Sequence, residues 1–163
     1  SMHYSSPRHA RGMTLIELMV VVVIATILVS IAVPSYMSQM RQSRRIEAKT
    51  ALLDLAGREE RYFSTSNTGA NYSANPGDLG YGTAGGWPMV VGSGYYQVTV
   101  TVCGIGANCG PGGIPGPSYF VQADPVATQS QAKDTQCGSF IVDSVGGQYI
   151  AGGSQTAQYC WNN

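Results

Sequence analysis

The pattern of apolar and polar residues divides the chain into two parts. Residues 18–40 contain no charged side chain, and they lie between Glu17 and Arg41. A helix needs about 20 apolar residues to cross a bilayer, so this segment is long enough to span one. A charge near the bilayer centre costs about 2–3 kcal/mol or more. An acid retained at the edge of the segment, Glu17, therefore indicates a specific partner.

The helix is predicted to continue beyond the apolar segment with a different pattern. Ala48, Leu52 and Leu55 recur at spacings of four and three, which is typical of an amphipathic helix with one buried face. We expect one helix from about residue 14 to about residue 63, ~75 Å long at 1.5 Å per residue. Pro34 lies in its first half. Because proline lacks an N–H, we expect it to bend or loosen the helix there.

Short β-rich segments follow the helix and are separated by segments rich in glycine and proline. They are residues 95–102, 118–124, 138–143 and 148–151. Three or four antiparallel strands can cover one face of a helix and bury a common core. The predicted fold class is therefore α+β, with a long N-terminal helix packed on a three- to four-stranded antiparallel sheet.

Four cysteines, all in the C-terminal half, predict disulfides rather than a metal site. They are Cys103, Cys109, Cys137 and Cys160. An even number of cysteines in an exported domain favours disulfide bonds, and four cysteines allow three pairings. Local closure favours Cys103–Cys109 and Cys137–Cys160. A four-cysteine zinc site is the alternative, but the closely spaced cysteine pairs that such sites use are missing.

Charge and composition make a nucleic-acid-binding protein or an enzyme a poor interpretation. The chain has nine basic and nine acidic residues, and after residue 62 its only basic side chain is Lys133. That half of the chain does not match a phosphate backbone, so we do not expect nucleic acid as a partner. The only histidines are His3 and His9. Residues 13–163 therefore lack a histidine base, and we expect no enzyme activity.

We likewise expect neither a cofactor nor a metal ion. The glycine-rich segment 104–116 lacks the Lys-Ser/Thr ending of a phosphate-binding loop. Asp124 and Asp134 leave a loop calcium site open as an alternative, although the acidic spacing of an EF-hand is absent. Among the aromatic residues, we expect Tyr72 and Tyr81 to be exposed in the long loop that follows the helix.

Two regions of the chain resemble the type IV pilin family. Residues 11–17 read Arg-Gly-Met-Thr-Leu-Ile-Glu and precede a Val- and Ile-rich run, as in the class III leader and N-terminal helix of a pilin. This resemblance covers residues 8–62. A weaker resemblance, to the disulfide-bounded C-terminal region of type IVa pilins, lies in residues 119–125, 134–140 and 160–161. Residues 58–63 resemble a helix ending of a minor-pilin branch.

The resemblance implies how the chain is processed and divided. A prepilin peptidase would cut between Gly12 and Met13 and methylate the new N-terminus, although Met13 replaces the family's usual phenylalanine. Glu17 corresponds to the family's conserved acid, and Pro34 to its helix-loosening proline. We expect a leader at residues 1–12, a transmembrane and assembly helix at residues 13–40, and a globular head at residues 41–163. Ser1 is expected to be an expression scar ahead of the start Met2.

The function implied by the resemblance is structural. The chain would be a pilin, most like a minor pilin, with a role in pilus assembly, twitching motility or adhesion. Its expected partners are other pilin subunits, the prepilin peptidase and the inner-membrane assembly machinery. The precursor would lie in the bacterial inner membrane, and the mature chain in an extracellular pilus. Two alternatives remain open: a type II secretion pseudopilin and a DNA-uptake receptor at a pilus tip.

Overall fold

The computed structural model describes residues 12–67, 69, 71–82 and 85–163. It contains two compact units, one ending at Gln39 and one comprising Met40–Asn163, which we call the head. Helix α1, Leu15–Thr65, begins in the first unit and ends in the second. The basic leader residues Arg8 and Arg11 and both histidines lie outside the described residues.

The two halves of α1 differ as the sequence pattern predicts. Every residue from 12 to 39 is exposed, including the whole apolar run. In the head, Ala48, Leu52 and Leu55 are fully buried, because they form the stripe of α1 that faces the sheet. Ile46 and Leu53 lie on the opposite side of the helix and are 55% exposed.

The head has one antiparallel sheet of five strands in the order β1-β2-β5-β6-β7. Its strands are β1 (Met89–Val91), β2 (Tyr96–Cys103), β5 (Ser118–Pro125), β6 (Ser139–Asp143) and β7 (Gln148–Ala151). The four predicted strands are all present, and the α+β class is confirmed. The short edge strand β1 adds a fifth strand to the predicted sheet, because its three residues pair with β2 across a tight turn.

Three smaller elements complete the head. A two-stranded ribbon, β3 (Asn108–Cys109) and β4 (Ile114–Pro115), occupies the glycine-rich segment predicted as a loop. A 3₁₀ turn, Ser130–Lys133, follows β5. Helix α2, Ala157–Asn162, follows β7, and its N-cap Thr156 accepts a hydrogen bond from the backbone N–H of Tyr159.

The core lies between α1 and one face of the sheet. Neighbouring strands β2 and β5 place Val98 opposite Ala123 and Val100 opposite Val121, and all four side chains are buried. The intervening residues of both strands are more exposed, as the alternation of a half-buried strand requires. Phe140 of β6 is fully buried in the same core.

Strand β2 runs alongside α1, which gives the head two distinguishable ends. At one end Gln131 donates to the hydroxyl of Tyr96 and, at 3.4 Å, to the carbonyl of Arg41. At the other end Tyr119, paired with Val102, donates to the carbonyl of Ala56. We call the end at α1 residues 41–45 proximal and the end at α1 residues 56–65 distal.

Two disulfides fix the C-terminal half of the head. Cys103 is joined to Cys109, which ties the end of β2 to the ribbon. Cys137 is joined to Cys160, which holds α2 beside the segment that leads into β6. These are the two pairs that local closure favours in the sequence. A disulfide that closes a loop as long as the one between Cys137 and Cys160 adds about 3 kcal/mol of stability in the chain-entropy model.

Candidate functional site

The residues to which the sequence assigns processing lie just before α1, and the acid assigned to assembly lies in its first turn. Gly12 and Met13 precede the helix and are exposed. The side-chain oxygen of Thr14 accepts a hydrogen bond from the backbone N–H of Glu17 at 3.2 Å. Thr14 therefore caps the helix, and Glu17 occupies the third helical position.

The cap gives Glu17 a local role that the sequence analysis missed. A carboxylate in the first turn is favourable to a helix by about 0.3–1 kcal/mol, because it lies near the positive end of the helix dipole. The four-residue spacing Thr14-Leu15-Ile16-Glu17 was the available signal. This stabilisation is smaller than the cost of placing a carboxylate in lipid.

The exposed half of α1 is an unpartnered apolar surface. Among the described residues, α1 is the one helix long and apolar enough to cross a membrane, by length and composition. Side chains such as Ile24 and Leu28 are more than half exposed. An all-round apolar helix of this kind requires lipid or the apolar faces of other helices around it. Pro34 lies within the continuous helix, and the bend expected there stays a prediction.

A buried ion pair connects the proximal end of α1 with the segment after the 3₁₀ turn. The guanidinium of Arg45 donates two hydrogen bonds of 2.7 Å to the two carboxylate oxygens of Asp134. Both side chains are almost fully buried, at 3% and 1% exposure. Burial acts to raise the pKa of Asp134, but the hydrogen bonds and charge of Arg45 outweigh it, and the pKa is lowered. Asp134 is therefore a structural anion.

Three other charged side chains of α1 hold the loops and the C-terminal helix of the head. Glu47 accepts hydrogen bonds from the backbone and hydroxyl of Ser93 in the β1–β2 turn. Arg58 pairs with Asp54 and donates to the carbonyl of Leu79 at 2.8 Å. Lys49 donates to the carbonyls of Cys160, Trp161 and Asn163 at the end of α2.

Glu59 is a buried carboxyl beneath the loop that follows α1. Its side chain is fully buried, and one oxygen accepts a hydrogen bond from the backbone N–H of Ser73. The other oxygen has no partner among the described residues. Burial, followed by the charges of Glu60 and Asp78, raises the pKa of Glu59 to about 7, against the opposing hydrogen bond from Ser73. No local pattern of residues indicates this burial.

Two tyrosines of the same loop are less exposed than the sequence predicts. Tyr72 and Tyr81, predicted to be exposed, are half-buried and pack against the core. The ring of Tyr72 stacks on Phe63 and contacts the edge of Tyr119. The expectation was wrong because aromatic rings in a loop gain free energy when the loop folds back over the helix.

Charge is distributed unevenly between the two ends of the head. Residues 41–50 and 129–136 contain five basic side chains and two acidic ones, a net charge of +3. Residues 51–128 and 137–163 contain two basic and six acidic side chains, a net charge of −4. Most of the positive charge of the head is therefore at its proximal end.

No metal site emerges from the part of the chain that the structure describes. Within it, no three His, Cys, Asp or Glu side chains come together as a metal ion would require. The acids that the sequence left open for calcium are engaged otherwise. Asp134 is paired with Arg45, and Asp124 accepts hydrogen bonds from Gln122 and Ser139.

An exposed apolar helix that begins just after Gly12, followed by a disulfide-bonded α+β head, defines a pilin-type subunit. Comparison with known families agrees. Residues 7–33 match the prokaryotic N-terminal methylation motif. Residues 34–141, about two-thirds of the chain, match the family described as type IV minor pilin ComP, DNA uptake sequence receptor. The chain belongs to this family of type IV minor pilins.

A curated relative supports the same assignment. Over 76 residues the chain is 40% identical to the type IV major pilin protein PilA of Myxococcus xanthus (strain DK1622). The similar region is 47% of this chain and 33% of that protein, so the chain spans about a third of the length of the relative it matches. Both matches fit a type IV pilin that is first a membrane precursor and then part of an extracellular pilus.

Proposed function

We propose that this chain is a minor subunit of a type IV pilus that enters the filament through residues 13–40. The observation that carries the proposal is the fully exposed apolar half of α1 behind a capped first turn. In the membrane this surface contacts lipid, and in the filament it contacts the helices of other subunits. Because both environments are apolar, polar groups rather than hydrophobic burial fix the register.

The processing steps belong to the same proposal. A prepilin peptidase cuts between Gly12 and Met13, and the new amine of Met13 is methylated. Both residues lie outside α1 and are exposed, so a peptidase can reach the bond between them. The inner-membrane assembly machinery then transfers the mature chain to the filament. The subunit acts structurally in this scheme, without catalysis, cofactor or metal ion.

Glu17 sets the register in this scheme by pairing with the N-terminal amine of a neighbouring subunit. An unpaired charge in an apolar environment costs several kcal/mol, and a partner of opposite charge offsets most of that cost. Head-to-tail contacts whose rotation does not close into a ring extend into a filament, which is the arrangement proposed here.

We expect Glu17→Ala to insert into the membrane normally and to be nearly absent from pili. The substitution removes a charge from the edge of the span, so insertion is unchanged or improved. The neighbour's amine loses its partner, so incorporation falls about tenfold or more. Immunoblots of membranes and of sheared pili, from cells with the complete pilus machinery, measure the two effects separately. Glu47→Ala, an acid of the same helix in the head, is the control and should enter pili.

Two results would contradict this role of Glu17. Wild-type amounts of Glu17→Ala in sheared pili would show that packing alone sets the register. Loss of Glu17→Ala from membranes would show that insertion or retention of the precursor, rather than assembly, requires the acid.

A second candidate function, DNA-uptake receptor, is favoured by the description of the matching family. The charge of the head opposes it, since the head outside its proximal end has a net charge of −4. Three cations can contact phosphate without giving up a side-chain hydrogen bond or ion pair within the described structure. They are Arg41, Lys133 and the distal Arg61. Three phosphate contacts are few for a receptor.

We expect duplex DNA to bind the full chain in detergent weakly and without sequence preference. With three contacts, log K should fall against log salt with a slope no steeper than about −3. Fluorescence anisotropy with labelled duplexes at several salt concentrations gives the slope. A steeper slope, or a clear preference for one sequence, would establish the receptor function instead.

A further inference from the structure

Two separate segments that are in contact at the proximal end of the head carry three cations. Nη1 of Arg44 donates to the hydroxyl of Ser130 at 2.8 Å, and the side chain of Gln131 donates to the carbonyl of Arg41. These contacts fix the 3₁₀ turn Ser130–Lys133 against the first turns of α1 in the head. Lys133 is the last residue of this turn, which these contacts hold against α1. We call Arg41, Arg44 and Lys133 the proximal cation cluster.

The head does not neutralise this cluster. The side chains of Arg41 and Lys133 form neither a hydrogen bond nor an ion pair with the residues that the structure describes. Arg44 lies 3.6 Å over the ring of Tyr95, a contact that positions the guanidinium and leaves its charge uncompensated. The acids of the same end are engaged elsewhere, Asp134 with Arg45 and Glu47 with Ser93.

The place of the cluster in the sequence indicates what it meets before assembly. Arg41 directly follows the apolar residues 18–40, which as a helix are about 34 Å long, slightly more than the hydrocarbon thickness of a bilayer. Arg41 therefore lies at the depth of the lipid headgroups while the segment spans the membrane. Long basic side chains at this depth extend toward phosphate groups.

Cations on the outer side of the membrane oppose the expected orientation of the precursor unless a partner compensates their charge. Basic residues beside a membrane helix favour the cytoplasmic side, where the leader of a pilin precursor lies. The proximal cation cluster is on the opposite side and weakens that orientation. Anionic lipid headgroups on the outer side would compensate for it, at about 1 kcal/mol per cation, or about fivefold in affinity.

We propose that the proximal cation cluster binds the phosphate groups of anionic lipids on the outer face of the inner membrane. The bound lipids hold the base of the head at the membrane until the subunit is extracted. This function concerns the precursor in the membrane and does not depend on incorporation into a pilus. The observations favour lipid over DNA because Arg41 directly follows the predicted membrane-spanning segment in the sequence.

The test is native mass spectrometry of the full chain in a non-ionic detergent. Phosphatidylglycerol and phosphatidylcholine with identical acyl chains are titrated separately. We expect the chain to retain phosphatidylglycerol preferentially. Arg41→Gln and Lys133→Gln should each weaken that binding about fivefold, and the double variant about 25-fold, without changing phosphatidylcholine binding. Inorganic phosphate should compete no better than chloride at the same ionic strength.

Arg61→Gln is the matched control, because it removes one exposed cation from the distal end of the head. It should bind phosphatidylglycerol as the wild type does, and all variants should show the circular dichroism of the wild type. Equal retention of the two lipids, or an equal loss in Arg61→Gln, would overturn the proposal. The proposal would also be overturned if the chain showed no lipid selectivity and the double variant instead abolished binding of duplex DNA or self-association of the chain.

Discussion

Asp134→Ala is expected to destabilise the head by about 3–5 kcal/mol, a larger loss than we expect from any other single substitution proposed for this chain. It removes both 2.7 Å hydrogen bonds of Arg45 and leaves that guanidinium buried without a counter-charge. The cost comes mainly from the uncompensated charge rather than from the lost attraction. Gln136, which accepts a hydrogen bond of 3.0 Å from Arg45, is neutral and does not replace the carboxylate.

Thermal and urea unfolding of the full chain in detergent, followed by tryptophan fluorescence, measure this loss. Trp161 reports on the head, because its ring contacts Phe140 and its indole N–H donates to the carbonyl of Tyr149. The informative control is the double variant Arg45→Met/Asp134→Leu. It removes both charges and should be much more stable than Asp134→Ala. A loss of less than about 1 kcal/mol in Asp134→Ala would show that water reaches Arg45.

Between about pH 5 and pH 8 the stability of the head is expected to fall by about 2–3 kcal/mol because of Glu59. The pKa of its carboxyl is raised to about 7 in the folded head and returns to its ordinary value of 4.5 on unfolding. The folded state therefore binds more protons than the unfolded state over this interval. The stabilisation contributed by Glu59 is fully present below its pKa in the unfolded state, and it is lost as the pH rises through its pKa in the folded state.

The physical origin of this pH dependence is the environment of the carboxyl. Burial disfavours its anion most, and the nearby charges of Glu60 on the same helix and Asp78 on the covering loop add to the effect. The hydrogen bond from the backbone N–H of Ser73 opposes this rise in pKa, but among the described residues it reaches one of the two carboxyl oxygens and leaves the other without a partner. The proton at neutral pH therefore helps to keep the loop closed over α1.

Glu59→Gln should remove most of this dependence and make the head more stable than the wild type at pH 8. Urea unfolding at pH 5, 6, 7 and 8 provides the comparison. Glu47→Gln is the control, since Glu47 is partly exposed and can keep an acceptor for Ser93. A pH profile of Glu59→Gln that parallels the wild-type profile would assign the dependence to another group.

Local pattern was sufficient to predict the long helix and most of the main sheet. The apolar run, the spacing of Ala48, Leu52 and Leu55, and the four β-rich segments predicted the helix and four of the five strands in the main sheet. Each of these signals lies within one element, where side-chain periodicity alone decides which face is buried. Strand β1 and the ribbon β3–β4 were not predicted, because strands of two or three residues are too short to show an alternation of apolar and polar residues.

The sequence by itself determined the apolar segment, the helix, the class of fold and the pilin family. Only the tertiary structure decided which charges are neutralised within the described part of the head. Arg45 meets Asp134 across 89 positions of sequence, and Gln131 donates to the carbonyl of Arg41 through the same packing. Glu59 is buried by a loop whose residues are largely polar. These outcomes depend on distances and solvent exclusion between segments remote in sequence, which no local pattern encodes.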